Sequence, residues 1–262
     1  MLKTFLSSLL ILILLATACN DRANNEQPVS QEKQKKDLIA KYPDSFLLKQ
    51  DLIDYYQQNG NYGQAFAETE NMLKQDSANA NLWNMQANLY FDNDDTPNTI
   101  HSLEKAIRID ADPEYMKSLG SLYAETKNPL ALSIANSLLG NPKANSQEQA
   151  LFIKGLFYSS TGDKIKAISY FDTCLSIDYN DMYSYREKAM CLYDMGKYND
   201  ALAVLQKAIS VKTSYDEAYY WMGRCYEKLG NKNEAISSYQ TALQIDNNYI
   251  EAKDALAKLN TQ

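Results

Sequence analysis

Histidine is almost missing from this chain: His101 is the only one among 262 residues. One imidazole cannot build a usual zinc site, and the four cysteines, Cys19, Cys174, Cys191 and Cys225, include no pair at metal-ligand spacing. Glycine (9) and proline (6) are also scarce, which argues against a turn-rich β-sandwich and for stacked helices. None of the glycines forms a phosphate-cradling loop, and neither a G-x-S-x-G nor an H-E-x-x-H segment is present. Basic residues (26) are outnumbered by acidic ones (33), giving a formal charge of -7. An acidic chain is a poor nucleic-acid binder, because phosphate contacts need clustered Lys and Arg. No catalytic constellation, metal site or cofactor is therefore expected, and no nucleic-acid partner.

What is abundant is periodicity. Rows of 34 residues starting at Glu148, Met182 and Asp216 align position by position. Position 8 is Gly155, Ala189, Gly223; position 15 is Gly162, Gly196, Gly230. Position 20 is Ala167, Ala201, Ala235; position 24 is Phe171, Leu205, Tyr239; position 27 is Cys174, Ala208, Ala242. A fixed period of this length marks a repeat array. Each row holds two apolar-periodic runs with a break at position 15, where glycine accepts a positive φ cheaply. Small residues at 8, 20 and 27 allow two helices to approach closely, and large ones at 24 fill the space between. Each row is read as a helix–turn–helix hairpin.

The register resembles that of the tetratricopeptide repeat. The last row carries the resemblance best: Tyr219, Met222, Gly223, Tyr226, Gly230, Ala235, Tyr239 and Ala242, departing at Asn247 where proline is usual. The resemblance implies an all-α solenoid of antiparallel helix pairs. Continuing the step backwards gives six repeats, at 46–79, 80–113, 114–147, 148–181, 182–215 and 216–249. The second has Asp94 in place of the turn glycine, within Asp92-Asn93-Asp94-Asp95. That turn offers oxygens to a calcium ion but lacks the glycine and distant glutamate of an EF-hand, so an inter-helix turn is favoured. The third is degenerate, fits with a one-residue slip, and should disturb the stacking locally. Asn128-Pro129 opens its second helix, and Gly140-Asn141-Pro142 breaks it. Asp44 is a candidate N-cap for the first repeat, and Ser146 with Gln149 a candidate capping box.

Residues 31–43 read as an N-terminal capping helix, with Lys33, Lys35 and Lys36 on a solvated face, and residues 250–262 as a C-terminal capping helix. His101 falls on an outward helix face. Cys174, Cys191 and Cys225 read as small core hydrophobes. Cys191 and Cys225, one repeat apart, are too distant for a bridge.

Ahead of the array, Lys3 gives a basic start and Phe5–Leu15 is almost wholly apolar, too short to span a bilayer as an ordinary helix. The segment Leu15-Ala16-Thr17-Ala18-Cys19 resembles a bacterial lipobox. By that resemblance residues 1–18 are a lipoprotein signal peptide and Cys19 bears the lipid. A plain secretory signal followed by a chance cysteine is the alternative. Residues 19–30, polar and without large apolar side chains, read as a flexible tether. The expected location is the cell envelope, lipid-anchored, at the outer membrane facing the periplasm or the surface.

In the tetratricopeptide family the first helices line a concave groove through positions 2, 5, 9, 12 and 13. Carried onto this chain, the resemblance gives Gln50, Asp54, Gln57, Asn81, Asn84 and Asn88 in one half. The other half has Phe152, Leu156, Tyr183, Arg186, Met190, Tyr193, Tyr220 and Arg224. The asparagines share one helix face and suit an extended peptide backbone; Tyr, Arg and Met are hot-spot residue types. Packing between adjacent helices is the competing role for some of them. The implied function is a membrane-anchored scaffold or adaptor that takes a protein or peptide in this groove. The layout of lipobox and repeats looks like that of small outer-membrane lipoproteins assisting pilus secretin assembly. Recruitment of an envelope hydrolase, or glycan binding through the tyrosines, are the rival readings.

Overall fold

The computed structural model describes residues 30–141 and 146–260; the signal segment, Cys19, most of the tether and Pro142 lie outside it. Every regular element among these residues is helical. Two compact units divide at Tyr55/Tyr56.

The first unit holds α1 (Gln31–Lys41) and the body of α2 (Phe46–Gln58). Helix α1 buries none of its residues. Its lysines are not simply solvated, since Lys35 pairs with Asp51 of α2 and Lys36 with Glu32 one turn back. The N-terminal cap of α2 is Ser45 rather than Asp44: the Ser45 hydroxyl accepts from the Leu48 N–H at 3.4 Å, a bond Asp44 stands one residue too early to make.

The second unit is an all-α solenoid. Its helices are α3 (Tyr62–Gln75), α4 (Ala80–Asp92), α5 (Thr96–Ile109), α6 (Pro113–Glu125), α7 (Leu130–Leu139) and α8 (Gln147–Thr161). They continue as α9 (Lys164–Ile177), α10 (Met182–Asp194), α11 (Tyr198–Val211), α12 (Asp216–Lys228), α13 (Lys232–Ile245) and α14 (Ile250–Asn260). Helices pair as hairpins α4/α5, α6/α7, α8/α9, α10/α11 and α12/α13, and α14 closes against α13. First helices also meet one another directly, α6 with α8, α8 with α10 and α10 with α12. They thereby share one face.

The hairpin turns have a common construction. The N–H after the turn reaches back five residues to the carbonyl of Tyr56, Tyr90, Tyr123, Leu192 or Tyr226, at 2.7–2.9 Å. This is the Schellman bond, and it demands a left-handed residue at its centre. Gly60, Gly196 and Gly230 supply it with φ of 70°, 74° and 77°. Gly162, in the α8 turn, has φ 97°. Where glycine is missing the backbone does not relent: Asp94 has φ 57° and Lys127 has φ 61°. The Asp92–Asp95 stretch is thus an inter-helix turn whose Asp95 caps α5 through the Asn98 N–H.

The third hairpin is irregular for readable reasons. Pro113 sits in the first turn of α6 and Asp112 caps it through the Glu114 N–H at 2.7 Å, so the helix starts one residue early. Asn128 caps α7 through the Leu130 N–H, and α7 runs only 10 residues. Helix α6 then packs on both α7 and α8. The capping box expected at Ser146 does not form: its backbone, φ −118° and ψ 22°, is not the extended one that capping uses, and the buried side chain makes no cap bond.

The core follows the small and large positions. Ala65, Ala167, Ala201 and Ala235, and likewise Cys174, Ala208 and Ala242, are fully buried between paired helices. Cys174, Cys191 and Cys225 are free, buried thiols. His101 is exposed on α5.

Candidate functional site

The face shared by the first helices carries the residues singled out from the register. They fall into three settings.

On α10 and α12 the charged and aromatic side chains form one connected network. Arg186 donates through Nη1 to both carboxylate oxygens of Glu217, at 3.0 and 2.9 Å, and through Nε and Nη2 to Glu187, at 3.1 and 3.0 Å. The Tyr215 hydroxyl sits 2.8 Å from a Glu217 oxygen and 3.1 Å from the Met182 carbonyl. Two carboxylates thus share one guanidinium. Burial pushes the Glu187 carboxyl above its ordinary value, and Arg186 offsets only part of that. Burial and then Glu217 push the Tyr215 hydroxyl up as well, so it stays a neutral donor.

Arg224, one turn of the array further on, has aromatic partners instead. It donates to the hydroxyls of Tyr220 (2.9 Å) and Tyr193 (3.3 Å). Its guanidinium lies 5.5–5.8 Å from the ring centres of Tyr193, Tyr220 and Trp221. Such cation–π contacts hold a planar group in place while leaving one edge free.

The third setting is a cleft of about 340 Å³ between α4 and α6, with α5 at its back. Ala87, Leu103 and Leu122 form its buried floor, and Phe91, 59% exposed, stands beside them.

The expected groove residues are distributed across these settings unevenly. Tyr183 is open at 63% exposure and lies 5.3 Å from the Arg186 guanidinium. Met190 and Tyr193 are half-buried, as is Phe152, whose ring meets Phe171 of the core at 5.6 Å. Leu156 and Tyr220 are corrections: both are under a tenth exposed and belong to the packing between helices. Leu156 fills the core of α6–α9, and Tyr220 contacts Tyr239 and Tyr249 on the far side of its helix. The three asparagines also separate. The Tyr115 hydroxyl donates to the Asn81 side-chain oxygen at 2.6 Å, whereas Asn84 and Asn88 make no side-chain hydrogen bond among the described residues. Gln57 donates to Asp92. Asp54, in the first unit, has its carboxyl raised by burial and by Asp51. Among the described residues no group of three or more His, Cys, Asp or Glu has metal-binding geometry.

Four functional candidates escaped the register. Phe91 and Glu217 occupy positions 12 and 2 of their repeats, inside the groove series, and the periodicity alone could have named them. Glu187 and Trp221 lie at position 6, outside that series, and only the stacking of α10 on α12 brings them in.

With this geometry the comparisons with known proteins agree. The tetratricopeptide repeat family matches residues 148–181 and residues 192–259. Residues 148–181 and 192–259 of this chain are tetratricopeptide repeats. The fold of the chain is shared by a tetratricopeptide repeat protein from Parabacteroides merdae, at TM-score 0.75 and 19% identity over 88% of this chain and 91% of that one. PilW, a widely conserved type IV pilus biogenesis factor, superposes at TM-score 0.63 with 22% identity, covering 80% of this chain and 97% of its own. A chain of the APC/C hetero-tetramer Cut9–Hcn1 superposes at 0.62 with 16% identity, covering 87% and 46% respectively. At such identities the likeness is one of fold. Among curated proteins, none matches the chain by sequence.

Proposed function

We propose that this tetratricopeptide-repeat chain is a lipid-anchored scaffold of the bacterial cell envelope that binds another protein along its first-helix face. Repeat solenoids present extended binding surfaces because each hairpin adds another first helix to the same side. The observation that carries the protein-binding part is the pair of prearranged guanidinium groups on this face, Arg186 held by Glu187 and Glu217, and Arg224 held by the hydroxyls of Tyr193 and the buried Tyr220. These bonds fix long side chains before any partner arrives, so less conformational entropy is lost on association. Tyr183 stands open beside it as a rigid aromatic contact.

Anchoring rests on the apolar run ending at Leu15-Ala16-Thr17-Ala18-Cys19. Acyl chains on Cys19 would hold the array to a membrane, each buried CH₂ adding about 0.8 kcal/mol. No helix among the described residues is long and apolar enough to cross a bilayer. The outer membrane, facing the periplasm or the surface, is the proposed location, and the array would stand off it by residues 19–30.

Two experiments test the two parts separately. A photo-crosslinking residue at Tyr183 or Met190 should capture a partner that the same residue at Ile165, an exposed outer-helix position, does not. Equal capture from both faces defeats the assignment of the face. For the anchor, Cys19→Ser should abolish labelling with an acyl-chain analogue and release the protein from membranes; retention with unchanged labelling defeats it.

A further inference from the structure

Near the C-terminal end of α10 an aromatic ring is covered by the next first helix. Tyr193 of α10 meets Trp221 of α12 at 5.4 Å between ring centres. Trp221 is the sixth residue of its helix. The sixth residue of α6 is Ser118, so the ring that α4 presents, Phe91, finds a hydroxymethyl group where Tyr193 finds an indole. The result is the α4/α6 cleft, about 340 Å³ and within the lower range of ligand pockets (roughly 300–1,000 Å³). An apolar floor beside an exposed aromatic wall is a seat for a large apolar side chain.

The rim defines what flanks that side chain. Asn88 borders the cleft and Asn84 lies one turn before it, each with donor and acceptor groups free among the described residues. They can bond the backbone of an extended segment without regard to its sequence. Glu125 closes the α6 end, and it makes no hydrogen bond or ion pair among the described residues. The cation that acts on it electrostatically, Arg186, is already committed to Glu187 and Glu217. An unneutralised carboxylate at the edge of an apolar cleft, on a chain of net charge -7, favours a positive group from outside.

We propose that the α4/α6 cleft seats one large apolar side chain of an extended peptide segment, with a lysine or arginine next to it at the Glu125 end. This rests on the reading of the first-helix face as a protein-binding surface, and it places the specificity in the repeat where the register is least regular rather than at Arg186 and Arg224.

Three fluorescein-labelled twelve-residue peptides, uncharged and polar except at two central places, test it by fluorescence polarisation with the full-length protein. The central pairs are Phe-Lys, Phe-Glu and Ala-Lys. The Phe-Lys peptide is expected to bind at least about tenfold more tightly than either of the others. Glu125→Gln should erase the distinction between Phe-Lys and Phe-Glu while keeping the demand for Phe. Ser121→Trp, which fills the cleft from a half-exposed position, should abolish binding with the thermal transition unchanged. Equal or tighter binding of Phe-Glu, undiminished binding to Ser121→Trp, or no binding of any peptide overturns the proposal. So does a concentration-dependent dimer that Ser121→Trp dissolves, since the cleft would then be filled by a second copy. Partner capture from Tyr183 without peptide discrimination removes the cleft alone; capture from no first-helix position removes the protein-binding face with it.

Discussion

Gly223 of α12 lies against the face of the Tyr239 ring of α13. A Cβ at Gly223 would come within 2.5 Å of one ring carbon and 2.8 Å of two others. The same relation holds one hairpin earlier but one, between Gly155 and Phe171, again at 2.5 Å. In the hairpin between them the pair is Ala189 and Leu205, a larger residue facing a smaller one. Positions 8 and 24 are therefore a matched pair, and total volume is what they share. Tyr239 is fully buried, so its ring has nowhere to retreat.

Gly223→Ala is expected to destabilise the protein by about 1–2 kcal/mol. Overpacking costs about 1–3 kcal/mol, and the better helix propensity of alanine returns up to ~1. In a Tyr239→Leu background the same change should become neutral or stabilising. Urea unfolding of the four proteins in the cycle measures this. Equal cost in both backgrounds would sink the matched-pair account.

Lys127→Gly should stabilise the α6/α7 turn. The left-handed conformation costs an L-residue roughly 1–2 kcal/mol, less for aspartate, whose short polar side chain tolerates it. Glycine gives back part of the gain as unfolded-state entropy. A net gain of about 0.5–1 kcal/mol is expected for Lys127→Gly and less for Asp94→Gly, read as a shift in urea midpoint.

Arg186→Met leaves Glu187 and Glu217 without their shared cation. Breaking a buried pair costs about 3–5 kcal/mol, and partial exposure of these side chains reduces that to about 1–3 kcal/mol here. Arg186→Lys should recover less than half, because an ammonium cannot reproduce the fork to both carboxylates. Thermal unfolding of the two variants decides it; a full rescue by lysine would refute the bidentate role.

Mild acid should stabilise the fold. Burial raises the carboxyl of Glu187, and burial followed by Asp181 and Asp178 raises that of Glu148, both from an ordinary 4.5. The native state then holds these protons more tightly than the unfolded chain. Their contribution is present in full below the unfolded value and is lost as pH rises through the folded one. Unfolding free energy should therefore be greater at pH 4.5 than at pH 7.5 in ~0.1 M salt. Glu148→Gln with Glu187→Gln should flatten the slope; an unchanged slope would contradict the assignment.

Burial pushes the Cys174 and Cys225 thiols up to about 12 and raises Cys191 as well. In a Cys19→Ser background a maleimide at pH 7.5 should modify none of the three in the native protein and all of them in urea. The labelling rate should then follow global unfolding. Fast modification of one thiol in the native state would expose a local opening.

Some of this was legible before any coordinates. The Gly-15 series marked the turns, because a Schellman bond needs a left-handed residue wherever it occurs. What periodicity does not show is that the backbone keeps this geometry at Asp94 and Lys127, since tertiary packing of the two helices outweighs the local cost. The groove series named Tyr183 and Asn88, which are open, and Asn84, which is half-buried, together with Leu156 and Tyr220, which are buried. A helix position states a direction from its own axis and says nothing of how far the next helix encroaches.

The sequence by itself determined the class of the fold, the hairpin unit and the residues at each close approach, because those depend on neighbours within about one repeat. Tertiary structure alone decided where the shared face is full and where it is open. Trp221 against Tyr193 closes one place, and Ser118 near Phe91 leaves another vacant. That difference depends on the facing of two side chains from different repeats and on the one-residue slip that Pro113 imposes on α6. The physical reason is that burial is a property of pairs of surfaces, and a linear pattern describes only one surface at a time.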